Sequence, residues 1–174
     1  ARDPLTALDN RRALYLRAPA LLWQASPASP GALLLIDIDH FKQVNDLHGH
    51  DAGDRVLQAF AQLVEHCIRK RDRLFRFGGE EFVLLFPATD RDGARAALEK
   101  VQRELRENLM GPDGPVTVSI GAALLEPGED WPTWLSRADQ ALYRANRSGR
   151  DQVRFDDPRP SPGERRLHLV PSGG

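Results

Sequence analysis

Two short acidic segments stand beside the most apolar stretches of this 174-residue chain. The first, Asp-Ile-Asp at 37–39, follows the wholly apolar run 32–36, and the second is Glu80-Glu81, which follows two glycines. If the apolar runs are neighbouring strands of one sheet, the carboxylates of both segments converge at one edge of it. Carboxylate oxygens suit Mg²⁺, which completes its coordination with water and substrate phosphates. The pattern therefore predicts a Mg²⁺ site that faces a phosphorylated substrate.

A purely structural role for these acidic residues is the alternative. Glu80 and Glu81 could solvate a turn, and Asp39 could cap a helix that begins near His40. An EF-hand is excluded, because Phe41 stands where that calcium-binding loop needs a third oxygen ligand. The presence of two acidic clusters at the ends of very apolar segments favours the metal site.

The segment 40–54 between the clusters is rich in polar side chains. Lys42 could place a point charge on a phosphate, while Asn45 and Asp54 could contact the edge of a base. A transition-metal site is the alternative, with three candidate ligands: Asp46, His48 and His50. Histidines two positions apart in a glycine-containing loop are a weak ligand pattern, so nucleotide binding is favoured.

The composition is that of a globular domain, with 41% hydrophobic and 28% charged residues. The formal net charge of −1 argues against a nucleic-acid partner. The single cysteine, Cys67, excludes an internal disulfide and a multi-cysteine zinc cluster, and its apolar helix face predicts a core position. Because no apolar run is long enough to cross a bilayer and no signal segment opens the chain, we expect a cytoplasmic domain without direct membrane contact.

The apolar pattern predicts the order β-α-β-β-α-β after an opening helix, which indicates an α+β, ferredoxin-like layout. Strands are predicted at 32–36, 74–77, 82–86, 116–120 and 153–155, and helices at 11–23, 51–68, 94–109 and 134–142. The first strand, which lacks polar alternation, should be covered on both faces, whereas alternation predicts a half-buried strand at 116–120.

Three local features of these elements are also predicted. Pro19 should break or kink the first helix. The first strand should end where Asp37 begins, and Gly78 and Gly79 should supply the positive φ that a tight hairpin turn needs. Trp131 and Trp134 are interpreted as packing residues.

The domain is expected to cover residues 1–156. The segment 157–174 is rich in proline and glycine, so its composition predicts a disordered tail. Because the chain begins at Ala1 rather than Met, we expect it to be part of a longer protein, without the upstream regulatory domain.

Several segments together resemble the GGDEF domain family of diguanylate cyclases. Gly-Gly-Glu-Glu-Phe at 78–82, preceded by Arg76, is similar to the family signature. The opening segment 3–12 and the segment 37–54 resemble further family motifs, as do three closing elements at 119–121, 138–143 and 148–150. The resemblance covers about residues 3–155, and the order and spacing of the motifs make it specific.

The resemblance implies a palm-type cyclase with a central mixed, mostly antiparallel sheet flanked by helices, which condenses two GTP into cyclic di-GMP and two pyrophosphates. It implies Mg²⁺, with Mn²⁺ as an alternative, held by Asp37, the Ile38 carbonyl, Glu80 and Glu81. Glu80 is also the implied general base for the ribose 3′-hydroxyl, and Lys42 the implied catalytic contact to the phosphates. The implied GTP-binding residues are Phe41, Asn45, His50, Asp54, Gly78, Gly79 and Arg150.

Dimerisation and product inhibition are implied as well. One such domain holds one GTP, so catalysis requires a homodimer, which in this family is usually governed by an upstream sensory or regulatory domain. Arg69 and Asp72 form an Arg-x-x-Asp element six positions before Gly78, which resembles the family's inhibitory site for cyclic di-GMP, with Lys100 as a helper. The alternative for this element is a solvated helix end.

One residue departs from the family pattern, and two other classes of function are alternatives to the cyclase. Asn146 stands where the family usually has a lysine, which weakens phosphate binding unless Arg144 or Arg147 compensates. A catalytically silent domain that senses cyclic di-GMP or GTP is disfavoured by the intact acidic clusters. A palm acting on nucleic acid is disfavoured by the near-zero net charge, and one acting on ATP stays an alternative.

Overall fold

Eight strands form in residues 1–156, the part of the chain that the computed structural model describes. They are β1 (Asp9–Asn10), β2 (Ala32–Ile38), β3 (Arg73–Arg76), β4 (Glu81–Phe86), β5 (Met110–Gly111), β6 (Gly114–Pro115), β7 (Val118–Leu124) and β8 (Val153–Phe155). Five helices accompany them in the same range: α1 (Arg11–Leu22), α2 (Phe41–His48), α3 (His50–Cys67), α4 (Arg91–Asn108) and α5 (Trp131–Arg147). The predicted tail, 157–174, lies outside the described residues.

Six of the strands form one sheet in the order β1-β3-β4-β2-β7-β8. β2 is antiparallel to both β4 and β7, and β3 is antiparallel to β4, whereas the pairs β1–β3 and β7–β8 are parallel. The inner order β3-β4-β2-β7 is that of a ferredoxin-like fold, so the predicted fold class is confirmed. β5 and β6 form a separate small hairpin that the sequence pattern did not indicate.

The sheet is covered on both faces, and alternate residues of β2 point to different helices. Leu34 and Ile36 belong to the cluster formed with α3 and α4, while Leu33 and Leu35 belong to the cluster formed with α1 and α5. Trp134 on α5 is buried and donates its indole N–H to the Ala123 carbonyl at 2.8 Å. β2 is therefore a central strand buried on both faces, as predicted.

Both strands that carry the acidic residues differ from the prediction at their ends. β2 continues through Asp37 to Ile38 because Asp37 pairs with Glu81 on one side and with Ser119 on the other. Glu81 is therefore the first residue of β4 and does not lie at a hairpin tip. The half-buried pattern predicted near 116–120 is wrong as well, because α5 covers the face of β7 that carries Ser119, which is fully buried.

Proline and glycine act differently from their predicted roles. Pro19 neither breaks α1 nor ends it, since it removes only the bond to the carbonyl of exposed Tyr15, which water can satisfy. Gly78 and Gly79 do not adopt positive φ. Gly49 does, at 88°, and it separates α2 from α3 where one continuous helix would otherwise form.

None of the helices in residues 1–156 combines the length and the apolar content that crossing a bilayer requires. Their apolar residues instead face the sheet.

α5 approaches β7 most closely at Gly121. A Cβ atom built on Gly121 would lie 2.1 Å from the Ala138 carbonyl oxygen and 2.2 Å from the Leu142 nitrogen. Both atoms belong to the helix backbone and cannot turn aside as a side chain would. The absence of a side chain at Gly121 therefore sets the distance between α5 and the sheet.

We predict that Gly121→Ala destabilises the domain because α5 must move away from β7. Overpacking of this kind costs about 1–3 kcal/mol, which lowers the melting temperature by roughly 2–4 °C for each kcal/mol. Thermal unfolding followed by circular dichroism measures the change. Gly79→Ala is the control, because a Cβ atom at Gly79 meets nothing within 4 Å. Equal melting temperatures for Gly121→Ala and the parent would contradict the close-approach argument.

Candidate functional site

The two acidic clusters meet at one end of the sheet. Asp37 on β2 lies directly opposite Glu81 on β4. Asp37 is in phase with Leu35, and Glu81 with Val83, so both carboxylates are on the face that packs against α1 and α5. Glu80 immediately precedes β4, and its carbonyl accepts a hydrogen bond from the Ile38 N–H at 3.2 Å. Backbone pairing therefore brings together carboxylates that are more than forty residues apart in sequence.

Asp37 is held in an unfavourable environment for a lone carboxylate. Burial, followed by repulsion from Glu80, Glu81 and Asp39, raises the pKa of Asp37 to about 7, although Arg150 opposes the shift. The Oδ1 atom of Asp37 is buried and has no hydrogen-bond partner among the described residues. Burial also raises the pKa of Glu80. The cluster therefore carries more negative charge than the protein around it neutralises.

A divalent cation fits this donor set. An orphaned buried carboxylate oxygen and mutually repelling carboxylates are what a bound cation would satisfy and neutralise. All the side-chain donors are hard oxygens, which matches Mg²⁺ or Mn²⁺ rather than a soft metal. Asp37, the Ile38 carbonyl, Glu80 and Glu81 are the residues that could hold such an ion.

Asp39 does not cap a helix, contrary to the structural alternative considered above. Its carboxylate accepts hydrogen bonds from the Thr117 hydroxyl at 2.7 Å, the Ser119 hydroxyl at 2.6 Å and the Asp151 backbone N–H at 3.0 Å. α2 instead begins after His40, which has a φ of 57° and makes no side-chain cap. Asp39 thus ties the end of β2 to β7 and to the turn after α5.

The turn after α5 delivers Arg150 to the site. Arg150 and Asp151 both adopt positive φ, at 65° and 47°, and the Arg150 N–H bonds to the Ala145 carbonyl at 3.0 Å. The Asp39 contact to the Asp151 N–H holds this strained turn beside β2. Sequence reasoning missed this role of Asp39, because its partners lie 78 to 112 residues away.

A cleft of about 570 Å³ opens in front of the acidic cluster. Asp37, Ile38 and Glu80 line one part of it, and Lys42 and Arg150 supply cations. Predicted residue Phe41 also lines the cleft, and five lining residues were not predicted to bind GTP or Mg²⁺: Asp39, His40, Gln43, Asp46 and Leu47. The arrangement places carboxylates and cations around one space, which suits a phosphate-bearing ligand with a bound cation.

The predicted base-reading residues lie at the corner between α2 and α3. His50 and Asp54 are one turn apart on α3 and so share a face of the helix. Asn45 on α2 packs against Gly53, where a Cβ atom would lie 1.9 Å from its Oδ1, and this Oδ1 is buried without a partner among the described residues. These three residues, with Gly78 and Gly79, are not among the described residues that line the 570 Å³ cleft.

Arg76 holds the glycine loop that leads to Glu80. Its guanidinium donates to the Gly79 carbonyl at 2.8 Å, to the Gly78 carbonyl at 3.3 Å, and to both carboxylate oxygens of Asp3 at 3.0 and 3.1 Å. Although burial opposes ionisation, hydrogen bonds from Thr6 and Arg76 lower the pKa of Asp3. The loop is therefore fixed by an ion pair to the N-terminal segment, since its glycines do not form a tight positive-φ turn.

The Arg-x-x-Asp element forms a closed turn between α3 and β3. The Asp72 carboxylate accepts from the Arg69 backbone N–H at 2.8 Å, and the Asp72 N–H donates to the Arg69 carbonyl at 3.0 Å. Burial raises the pKa of Asp72. The turn borders a cleft of about 430 Å³, whereas Lys100 on α4 lies near the half-buried Cys67 and is not among the described lining residues.

A ferredoxin-like sheet with paired carboxylates at one end, facing a lysine and an arginine, defines a palm-type nucleotidyl cyclase fold. Within that class, the chain belongs to the diguanylate cyclase GGDEF domain family. The family model described as "Diguanylate cyclase, GGDEF domain" matches residues 1–152.

Individual relatives agree with this assignment. Diguanylate cyclase DgcM of Escherichia coli strain K12 is 43% identical over 152 residues, which cover 87% of this chain and 37% of DgcM. A second relative is the GGDEF domain of DgcB from Caulobacter crescentus, whose crystal structure was determined in complex with c-di-GMP. Its sequence is 33% identical to this chain, and the structures superpose with a TM-score of 0.82 over 89% of this chain and 95% of that chain. A third is diguanylate cyclase SiaD from Pseudomonas aeruginosa, whose crystal structure is in complex with its activator SiaC. Its sequence is 41% identical to this chain, with a TM-score of 0.81 over 88% of this chain and 61% of the SiaD chain. The chain thus spans little more than a third of DgcM.

We predict that Asp37→Asn stabilises the metal-free domain at pH 8. The pKa of Asp37 rises from 3.8 to about 7 on folding, so the parent loses stability as the pH rises from about 4 to about 7. The amide carries no such penalty, and its melting temperature at pH 8 should exceed that of the parent by at least about 2 °C. At pH 4 the two proteins should melt closer together.

Mg²⁺ provides the second arm of this experiment. It should raise the melting temperature of the parent but not that of Asp37→Asn, because the variant lacks a carboxylate that we expect to bind the ion. Asp46→Asn, which removes an exposed carboxylate from the same cleft, is the control and should keep the parent's pH dependence. An Asp37→Asn variant that melts below the parent at pH 8 would contradict the electrostatic argument.

Proposed function

We propose that this domain is a diguanylate cyclase that condenses two GTP into cyclic di-GMP and two pyrophosphates. The observation that carries the proposal is the backbone pairing of Asp37 with Glu81, which gathers a carboxylate cluster beside a cleft that Lys42 and Arg150 also line. The family and the named cyclases among the relatives support the same reaction.

The reaction is an in-line phosphoryl transfer that occurs twice. The 3′-hydroxyl oxygen of one GTP forms a bond to the α-phosphorus of the other, and the bond from that phosphorus to the α–β bridging oxygen breaks. Pyrophosphate leaves, and the hydroxyl proton passes to a base. A second transfer, with the roles of the two nucleotides exchanged, closes the ring of cyclic di-GMP. Such a transfer depends on positioning and on charge neutralisation more than on covalent catalysis.

Glu80 is the proposed general base, and the carboxylate cluster is the proposed metal site. Burial raises the pKa of Glu80, which makes its carboxylate a better proton acceptor than an exposed one. Asp37, the Ile38 carbonyl, Glu80 and Glu81 would hold Mg²⁺ or Mn²⁺. When bound, the ion would neutralise charge on the phosphates.

Lys42 and Arg150 are the proposed phosphate contacts. Lys42, in the first turn of α2, can place its ammonium group as a compact point charge, and Arg150 can grip two phosphate oxygens at once. Because Asp39 anchors the turn that carries Arg150, the guanidinium is positioned before substrate binds.

The guanine base is proposed to bind at the corner between α2 and α3. Asn45 and Asp54 offer amide and carboxylate oxygens that can accept from the guanine N1–H and amino group. His50 lies one turn before Asp54, and buried Phe41 lies beneath the same corner, where it contacts Gly53. Gly78 and Gly79 would let the substrate pass close to the loop backbone.

Catalysis is proposed to require two domains. The attacking hydroxyl and the reacting phosphate belong to different nucleotides, so each domain would bring one GTP to a face-to-face homodimer. An upstream sensory or regulatory domain would control that encounter in the full protein, in the cytoplasm.

The Arg-x-x-Asp turn is the proposed inhibitory site for the product. Arg69 is exposed and can bind a phosphate or the Hoogsteen edge of guanine through two N–H groups, and Asp72 can accept from guanine. Lys100, which lies near the end of α3, is proposed to assist from α4.

We predict that the parent forms cyclic di-GMP from GTP only with Mg²⁺ or Mn²⁺ and that Glu80→Gln loses this activity. The substitution keeps the shape of the side chain but removes the anion, and loss of a general base alone costs about 10²–10⁴-fold in rate. Purified protein is incubated with GTP and metal, and the products are separated by chromatography. Near-parent turnover by Glu80→Gln at saturating metal would exclude Glu80 from both proposed roles.

We predict that ATP binds at least about tenfold more weakly than GTP. Adenine presents a lone pair at N1 where guanine presents an N–H, so the Asp54 carboxylate would lose its partner. Asp54→Ser should narrow the difference, whereas Asp51→Ser, on the exposed side of the same helix, should leave it unchanged. Calorimetry measures both affinities, and equal binding of ATP and GTP by the parent would refute the guanine assignment.

A further inference from the structure

The cleft beside the Arg-x-x-Asp turn has a second wall that comes from the start of the chain. It measures about 430 Å³ and is bordered by Arg69 and Asp72 on one side. Arg2 of the N-terminal segment (residues 1–10) and Arg17 of α1 line the same cleft. The sequence pattern did not associate these two arginines with the Arg-x-x-Asp element, which lies more than fifty residues later.

Backbone and side-chain bonds hold the N-terminal segment against this cleft. The Asn10 N–H donates to the Ala1 carbonyl at 3.0 Å, and the backbone of Arg2 pairs with that of Asp9 in an isolated antiparallel β-bridge. Asp9 and Asn10 form β1, which pairs in parallel with β3 directly after the Arg-x-x-Asp turn. The segment therefore folds back on itself, and Arg2 is brought to the same sheet edge as Asp72.

The Asp9 carboxylate also positions Arg17. Its Oδ2 lies 3.1 Å from the Nη1 of Arg17, whose side chain is 53% exposed. A guanidinium has five N–H donors, and this contact occupies one nitrogen. Arg2 likewise uses Nη1 to bond to the Ala7 carbonyl. Both side chains are oriented by the fold while retaining donors for a ligand in the cleft.

The charges around the cleft do not balance. Five cationic side chains line it: Arg2, Arg17, Arg69, Lys70 and Arg73. Three acidic side chains line it: Asp9, Glu65 and Asp72. The excess of two positive charges matches a ligand with two phosphodiester groups, each of which carries one negative charge.

We propose that Arg17 and Arg2 are ligand-binding residues of this cleft and contact the phosphates of a cyclic dinucleotide held at Arg69 and Asp72. The proposal rests on the proposed function, which supplies the dinucleotide as product. It extends the inhibitory site from one turn to two walls, so that the bound product also joins the N-terminal segment to the domain. Bidentate arginine–phosphate contacts provide the recognition.

The test measures binding of cyclic di-GMP to the full 174-residue chain by titration calorimetry without GTP. Arg17→Gln and Arg2→Gln should each weaken binding by about three- to tenfold, because each removes a charge-assisted contact. Each should also reduce the dependence of Kd on salt concentration, which a merely structural defect would not do. Arg12→Gln is the matched control, since Arg12 is exposed on another face of α1 and does not line the cleft; it should bind like the parent.

Arg69→Ala distinguishes failure of this inference from failure of the proposed function. If Arg69→Ala loses binding while Arg17→Gln and Arg2→Gln bind like the parent, the second wall is not part of the site and the inference is overturned. If Arg69→Ala binds like the parent, or the parent does not bind, the proposed product site itself is wrong. If Arg12→Gln weakens binding of cyclic di-GMP to the same extent, the effect comes from net charge, and the inference is overturned as well.

Discussion

The repulsion between carboxylates buried at the end of β2 is the constraint around which this domain is built. Asp37 and Glu81 are paired across neighbouring central strands, and Glu80 and Asp39 lie within range of the same charge. Burial prevents water from screening them, which is why the pKa of Asp37 reaches about 7. The charged form of the site therefore needs cations nearby: Arg150 lowers the pKa of Asp37, Lys42 lines the same cleft, and a bound divalent cation would neutralise the cluster further.

Two polar anchors hold the loop before Glu80 and the turn that carries Arg150 in place. Arg76 binds the carbonyls of the glycine loop and the carboxylate of Asp3, and so fixes the segment before Glu80. The Asp39 carboxylate accepts three hydrogen bonds, from Thr117 just before β7, from Ser119 in β7 and from the turn that carries Arg150. Each anchor is a buried or half-buried polar side chain whose hydrogen bonds offset the cost of its burial. Together they place an acid and a cation on opposite sides of one cleft.

Sequence patterns predicted the strands and helices better than their ends. The run 32–36 is apolar enough to indicate a central strand, but only pairing with β4 and β7 extends β2 through Asp37. Pro19 was expected to break α1, and it does not, because the carbonyl it leaves free is exposed to water. Ser119 was predicted to lie on the polar side of a half-buried strand, but it is fully buried beneath α5 and donates a hydrogen bond to Asp39. For β2 and for Ser119, a neighbour distant in sequence outweighed the local preference, whereas for Pro19 exposure to solvent did.

The sequence by itself determined the fold class, the family and the types of residue at the site, because hydrophobic periodicity and motif spacing are local properties of the chain. Only the tertiary structure decided which carboxylate lies opposite which, that Asp39 and Arg76 anchor the turns at the site, and that Arg2 and Arg17 line one cleft with Asp72. Those relations join residues 44 to 78 positions apart, and the pKa of Asp37 depends on the first of them. Strand register and the close approach of α5 at Gly121 create such contacts, and neither can be read from residues adjacent in sequence.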